Sequence, residues 1–215
     1  MKEQTLEILA GFFGENPRLE PCREAIRGGV TLLTACFKAG GKLLVCGNGG
    51  SCADSDHIVG ELMKGFLLKR PLPRERREML KNLFGEEGES LADRLQEALP
   101  AVSLGSQSAL LTAIGNDIGY DLVFAQQVMG YGRPGDVLLA ISTSGNASNV
   151  KAALMTAKSL GVSTIALTGE GGGAAAPLAD VRITVPDSRT FRVQEYHCAV
   201  CHLLCGCVEA ELFEG

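Results

Sequence analysis

Two histidines and four cysteines lie within one short stretch near the C-terminal end of the sequence. The stretch reads QEYHCAVCHLLCGC, from Gln194 to Cys207. Cys198, Cys201 and His202 match the C-x-x-C-H pattern of covalent haem attachment, and clustered Cys and His side chains can also close a tetrahedral zinc site. A third interpretation is an ordinary buried helix, because free cysteine packs as a small hydrophobe.

The composition helps to separate these interpretations. The chain has 215 residues, of which 46% are apolar and 21% charged, and its net charge is -5. This indicates a globular protein with an ample core and without the basic surface that binds nucleic acid or anionic membrane. No apolar run reaches the roughly 18 residues of a membrane span, and the N-terminal segment does not resemble a signal peptide. We therefore expect a cytoplasmic protein with reduced thiols, which disfavours haem attachment and a disulfide framework.

A second set of chemically capable residues lies in the segment CADSDHIVGEL. His57 and Glu61 are four residues apart, so they share one face of a helix and could hold zinc or another divalent ion. Taken alone, such a pair is more often a surface contact. Gln194 and His202, eight residues apart on the later helix, would lie about 12 Å from each other by helical rise, so they can join one ion only if it sits between them.

Two glycine- and hydroxyl-rich loops follow apolar runs. They are GNGGS at 47–51 and STSGN at 142–146, and each leads into a helical pattern. Glycines let the backbone approach an anion, hydroxyls donate hydrogen bonds, and a helix N-terminus attracts negative charge. Together the loops predict a phosphate site, whereas a single loop could simply turn the chain and cap a helix. A dinucleotide site is disfavoured because Cys52 stands where the third glycine of its fingerprint belongs.

The elements that must position these residues alternate along the chain. Helical spacing covers about 2–13 and 21–37, and buried strands are predicted at 42–46, 100–104, 136–141, 163–168 and 181–185. The fold predicted is α/β, a three-layer sandwich with a mostly parallel five-stranded sheet flanked by helices, plus N-terminal helices and a long C-terminal helix. We expect a single domain over 1–215 with an insertion at about 69–98. A solvated helical excursion is favoured for that insertion over a regulatory or substrate-covering segment.

These motifs occur together in an order that resembles the sugar isomerase (SIS) domain family and, within it, the phosphoheptose isomerases. The resemblance rests on GNGGS, H-x-x-x-E, ISTSGN and Q-E-x-H with a further histidine. It implies a zinc-dependent aldose–ketose isomerase, typically a homotetramer with shared sites, that interconverts sedoheptulose 7-phosphate and D-glycero-D-manno-heptose 7-phosphate. The implied metal ligands are His57, Glu61, Gln194 and His202. The implied substrate-binding residues are Asn48, Gly49, Ser51, Asp117, Ser142, Thr143, Ser144 and Gln194.

The implied chemistry suits these residue types. Isomerisation moves a proton between C1 and C2 through an enediol, and Glu61 and His202 can exchange the roles of base and acid. Zinc would polarise the carbonyl and stabilise the developing oxyanion. His197 could also bind the metal, but a core or interface position is favoured because His202 fills the matching place.

The stretch 194–207 is then predicted to be the last helix of the domain, which presents Gln194 and His202 while its cysteines pack. A cysteine-based zinc site is disfavoured because Cys198 and Cys201 would need further ligands from elsewhere.

Three positions depart from the family pattern. Gly65 stands where the family usually has arginine, Phe191 where it often has aspartate, and Ala147 where it has serine. These changes leave open which ketose phosphate is used. A non-catalytic SIS protein that binds sugar phosphates, such as a regulator or a replication initiator-associating protein, is the alternative class. Retention of the acid–base pair and all implied ligands favours the isomerase.

Overall fold

A five-stranded parallel sheet forms the centre of the computed structural model, which describes residues 1–213. The strands are β1 Leu43–Cys46, β2 Ala101–Ser103, β3 Val137–Ser142, β4 Ser163–Thr168 and β5 Val181–Thr184. Their order in the sheet is β2-β1-β3-β4-β5, and all four pairings are parallel. β1 and β3 are buried along their whole length, as expected of strands covered on both faces. The predicted α/β architecture is confirmed.

Helices cover both faces of this sheet. The helices of residues 1–213 are α1 Glu3–Glu15, α2 Arg23–Lys38, α3 Gly50–Leu62, α4 Arg74–Arg94, α5 Ser108–Asp117, α6 Val123–Tyr131, α7 Ser148–Ser159 and α8 Thr190–Leu212, and all but α4 pack on the sheet. The apolar side chains of α1, α2, α3 and α8 pack on one face, and those of α5, α6 and α7 pack on the other. Across residues 1–213, no helix has both the length and the apolar character needed to cross a membrane.

Helix α2 begins later than its apolar pattern suggested. The pattern starts at Pro21, but Pro17–Cys22 form a 3-10 turn and α2 proper begins at Arg23. Proline inside an α-helix removes a backbone donor and clashes with the preceding turn, so the regular helix starts beyond it.

The predicted insertion is a helical excursion that folds back on itself. Its ends meet at an antiparallel bridge between Pro71 and Gln96. Helix α4 breaks at Gly85, whose φ of 60° lies in the region that favours glycine. Beyond the break, the acidic half returns along the basic half, and Lys81 Nζ contacts Glu89 Oε1 at 2.8 Å. The charge reversal along this segment therefore pairs its two halves.

A buried ion pair ties the base of the insertion to α8. Glu209 accepts backbone N–H bonds from residues 66, 67 and 68 at 2.7–2.9 Å. Arg70 donates to the same carboxylate at 2.7 Å and to the Leu62 carbonyl at 2.8 Å, and both charged side chains are at most 1% exposed. These bonds hold the end of α3 against α8, which matters because both helices supply residues to the site described next.

Candidate active site

Helices α3 and α8 run side by side in the same direction and bring the predicted metal ligands together. Gln194 lies beside Gly50 at the start of α3, and His202 lies beside His57 further along. The Nε2 atoms of His57 and His202 are 3.2 Å apart, and Glu61 Oε1 is 3.5 Å from His57 Nε2. Three of the four ligands that the family resemblance implied therefore converge around one imidazole nitrogen.

The two separations around His57 Nε2 suit ligands of a tetrahedral metal ion. Two ligand atoms at zinc bond lengths of 2.0–2.1 Å lie about 3.3 Å apart when the coordination is tetrahedral. The distances of 3.2 Å and 3.5 Å around His57 Nε2 lie on either side of this value. In the structure, Glu61 Oε2 also accepts a hydrogen bond from Lys64 Nζ at 2.9 Å. The donor set fits a divalent ion.

Cys198 joins this cluster, although its thiol was expected only to pack. Ligand atoms of His57, Cys198 and His202 all lie within 4.8 Å of one another. Cys198 is partly exposed, whereas Cys201 is 5% exposed. Burial of Cys201 inside α8 leaves no room for haem attachment, so the C-x-x-C-H match is coincidental.

Gln194 lies at the near end of the site. Its side-chain amide sits against the backbone of Gly50, where an added Cβ would come within 2.2 Å of Nε2. The glycine therefore makes room for this amide at the first turn of α3. The amide also lies near the carboxylate of Asp54.

Asp54 is a buried carboxylate that the sequence analysis missed. Its side chain lies on α3 one turn before His57, it is 9% exposed, and Oδ2 has no hydrogen-bond partner among residues 1–213. Burial raises the pKa of Asp54, and the nearby Gln194 amide and His57 offset this effect only in part. In the sequence, Asp54 lies three residues before His57 and therefore on a neighbouring face of the same helix, and this spacing could have identified it as a site residue.

A pair of amides joins the first predicted phosphate loop to the helix that follows the second. β1 and β3 are neighbours, so the loops that follow them meet at the carboxyl edge of the sheet. Asn48 Nδ2 donates to Asn149 Oδ1 at 2.8 Å, and Asn149 Nδ2 donates back to Asn48 Oδ1 at 2.9 Å. Gly49 has a φ of 55°, which turns the chain into α3. The first loop is thereby held against the start of α7.

The hydroxyl groups of the second loop differ in their hydrogen bonds and in their exposure to solvent. Ser142 Oγ accepts the backbone N–H of Gly145 at 3.1 Å, and Ser144 Oγ accepts that of Asn146 at 3.2 Å. Ser144 is exposed and Thr143 half-buried, while Ser51 and Ser142 are buried. The exposed hydroxyl of Ser144 is the one most accessible to an incoming anion.

Asp117 stands apart from this arrangement within one chain. It ends α5, is exposed, and its carboxylate accepts a hydrogen bond from the Asn116 side chain at 2.7 Å. Helix α5 packs against α6. Its predicted role in substrate binding remains a prediction.

The structure also accounts for Gly65, which departs from the family pattern, and for His197, which was expected to lie in the core or at an interface. An added Cβ at Gly65 would lie 2.3 Å from the Leu68 carbonyl, so the tight turn after α3 excludes the arginine usual there. His197 is fully buried, as expected of a core histidine. Burial lowers the pKa of His197 to about 4, and the nearby Thr168 backbone offsets this only in part.

Comparison with known proteins identifies the family of the chain. The family described as "SIS domain" matches residues 18–82 and 78–169, and the two matched segments overlap within α4. A phosphoheptose isomerase of Rhodospirillum rubrum is 44% identical over 195 residues, covering 91% of this chain and 90% of the relative. One from Citrifermentans bemidjiense is 40% identical over 207 residues, with coverage of 96% and 91%.

Solved structures extend the likeness to the fold. The phosphoheptose isomerase of Neisseria gonorrhoeae superposes with a TM-score of 0.72 at 36% identity, covering 95% of this chain and 98% of that one. That of Francisella tularensis has a TM-score of 0.73 at 30% identity, with coverage of 97% and 94%. The chain belongs to the phosphoheptose isomerase family of SIS-domain proteins.

Proposed function

We propose that this enzyme interconverts sedoheptulose 7-phosphate and D-glycero-D-manno-heptose 7-phosphate. The observation that carries the proposal is the convergence of His57 and Glu61, on the helix α3 that follows the glycine-rich loop, with His202 of α8. His57 Nε2 lies 3.2 Å from His202 Nε2 and 3.5 Å from Glu61 Oε1. The same helix thus joins a group suited to phosphate with groups suited to proton transfer.

The phosphate would bind at the carboxyl edge of β1 and β3. Asn48, Gly49 and Ser51 would contribute from the first loop. Ser142, Thr143 and Ser144 would contribute from the second. The partial positive charge at the N-terminus of α3 and at that of α7 would each stabilise the bound phosphate by about 0.3–1 kcal/mol. The amide pair between Asn48 and Asn149 holds the first loop against the start of α7, the helix that follows the second loop, so the two loops can bind one phosphate without first being ordered.

Glu61 and His202 would carry the proton between the two carbons. From the ketose, a base removes a proton from C1 and the carbonyl oxygen at C2 gains one, which forms the enediol. Loss of the O1 proton and addition of a proton at C2 then complete the aldose. The Glu61 carboxylate and His202 imidazole both lie within 3.5 Å of the same nitrogen of His57, so they can face adjacent carbons.

We further propose a zinc ion held by His57, Glu61, Gln194 and His202. When bound, it would polarise the carbonyl and stabilise the enediolate oxygen. His57, whose ring lies edge-on to that of His202, would then orient the site without taking part in proton transfer. From the family resemblance we also propose a homotetrameric assembly in which Asp117 contributes to substrate binding. The cytoplasmic location expected from the sequence completes the proposal.

The proposal is tested by measuring turnover of the sugar phosphate directly. Zinc-loaded protein would be incubated with sedoheptulose 7-phosphate and the products followed by NMR, with a chelated sample as control. Metal-dependent appearance of the aldose phosphate is the expected result. Binding of the sugar phosphate without conversion would contradict the proposal and favour a binding protein, and conversion only of another ketose phosphate would overturn the substrate.

A further inference from the structure

We infer that Cys198 is a metal ligand in this chain, forming a His57, Cys198 and His202 set. The inference rests on the metal site of the proposed function, but it places a thiolate, which the family pattern does not supply, where that proposal placed the Gln194 amide. The observation is the mutual approach of the three ligand atoms to within 4.8 Å.

The position of Cys198 on α8 explains why it reaches the site. Gln194, Cys198 and His202 follow one another at intervals of four residues, so they lie along one face of the helix. Cys198 is one turn from His202, about 6 Å by helical rise, whereas Gln194 is two turns away. Of the two residues before His202 on this face, the thiol is therefore the nearer to the two histidines.

Gln194 is also engaged elsewhere. Its amide packs on Gly50 at the first turn of α3 and lies near the buried carboxylate of Asp54. His57 stands seven residues after Gly50, two turns along the same helix. The contacts of Gln194 thus hold its amide at the start of α3, while Cys198 faces the level of His57.

Two imidazoles and one thiolate form a set that suits catalytic zinc. Catalytic zinc sites have three protein ligands and one open position, and thiolate selects zinc over hard ions such as magnesium. A zinc-bound sulfur would lie about 3.6 Å from a ligating nitrogen in tetrahedral geometry. The fourth position would remain for Glu61 or a substrate oxygen. The ion would release the thiol proton to solvent on binding.

Cobalt substitution tests this ligand without relying on activity. Co²⁺ takes tetrahedral zinc positions, and a cobalt-bound thiolate adds a ligand-to-metal charge-transfer band in the near ultraviolet. We expect this band in the wild-type protein at one equivalent of Co²⁺. Cys198→Ser should abolish it and weaken zinc binding at least about tenfold. Cys52→Ser is the matched control, since Cys52 is the other partly exposed cysteine, and it should keep the band.

A second measurement needs no variant. Alkylation by iodoacetamide, mapped residue by residue by mass spectrometry, should modify Cys198 in the metal-free protein and be suppressed there by zinc, with Cys52 unaffected by the metal. Alkylation of Cys198 at equal rates with and without bound zinc would overturn the inference.

The outcomes separate this inference from the proposed function. Cobalt binding that is lost in His57→Ala but shows no thiolate band would refute Cys198 as a ligand and leave the proposed histidine site standing. Absence of any cobalt or zinc binding would overturn both the ligand assignment and the metal-assisted mechanism.

Discussion

The Nε2 atoms of His57 and His202 lie 3.2 Å apart although 145 residues separate them in the chain. The contact exists because α3 and α8 lie side by side, and the Phe66 ring, stacked 5.7 Å from that of His202, packs against it. Two ring nitrogens at this distance can share one proton or one metal ion. The site therefore depends on the correct packing of two helices that are far apart in the sequence.

Glu61→Gln should reduce kcat by at least about 100-fold, because the amide cannot accept the substrate proton. Binding of the sugar phosphate should change little, since the phosphate loops are untouched. Steady-state kinetics and calorimetric titration would measure the two effects, with metal content determined in parallel because Glu61 is also a proposed ligand. Glu195→Gln, an exposed carboxylate on α8, serves as the control. Wild-type turnover in Glu61→Gln would remove this residue from the mechanism.

Ser144→Ala should mainly raise KM, by roughly five- to tenfold. The exposed hydroxyl is proposed to donate to the phosphate, and one such hydrogen bond contributes about 1 kcal/mol or slightly more. Ser159→Ala changes an exposed serine at the far end of α7 and should leave the KM unchanged. An unchanged KM in Ser144→Ala would count against the second loop as a phosphate site.

Arg70→Met should lower the free energy of unfolding by about 3–5 kcal/mol, because it leaves the buried Glu209 carboxylate without its charged partner. Arg74→Met removes an exposed ion pair with Glu78 and should be neutral within the error of urea denaturation. Equal stability of the two variants would show that the buried pair does not anchor the insertion.

Glu209 also predicts a pH dependence of stability. Burial alone would raise the pKa of Glu209, but bonds from the backbone of residues 66–68 and from Arg70 outweigh it and lower the pKa from its usual 4.5. The unfolded chain therefore takes up the proton first. The contribution of Glu209 is fully present above about pH 4.5 and is lost as the pH falls through the lower folded value. Urea denaturation at several pH values should show a smaller loss below pH 4.5 in Glu209→Gln than in the wild type.

The fold was largely predictable because buried parallel strands appear as continuous apolar runs. All five predicted strands form, with ends that differ by at most one residue from the predicted ranges. Helix boundaries were less accurate at Pro21, where the sequence pattern does not distinguish a 3-10 turn from an α-helix.

Residues of the site were predictable where local spacing decides their relation. His57 and Glu61 share a helix face, and the structure places them 3.5 Å apart. Which residues of α8 contact His57 and Glu61 depends on how far α3 and α8 are offset along their axes. No local sequence pattern gives that offset. For that reason Cys198 was assigned to packing, and the bond between Asn48 and Asn149, 101 residues apart, was not foreseen.

The most direct measurement follows isomerisation of sedoheptulose 7-phosphate by NMR in deuterium oxide. Proton transfer through an enediol, with Glu61 and His202 as separate acid and base, predicts metal-dependent formation of the aldose phosphate carrying deuterium at C2. Complete transfer of the C1 protium to C2 with full turnover would contradict the assignment of Glu61 and His202 as separate acid and base, and the absence of any aldose product from the metal-loaded protein would contradict the proposed reaction itself.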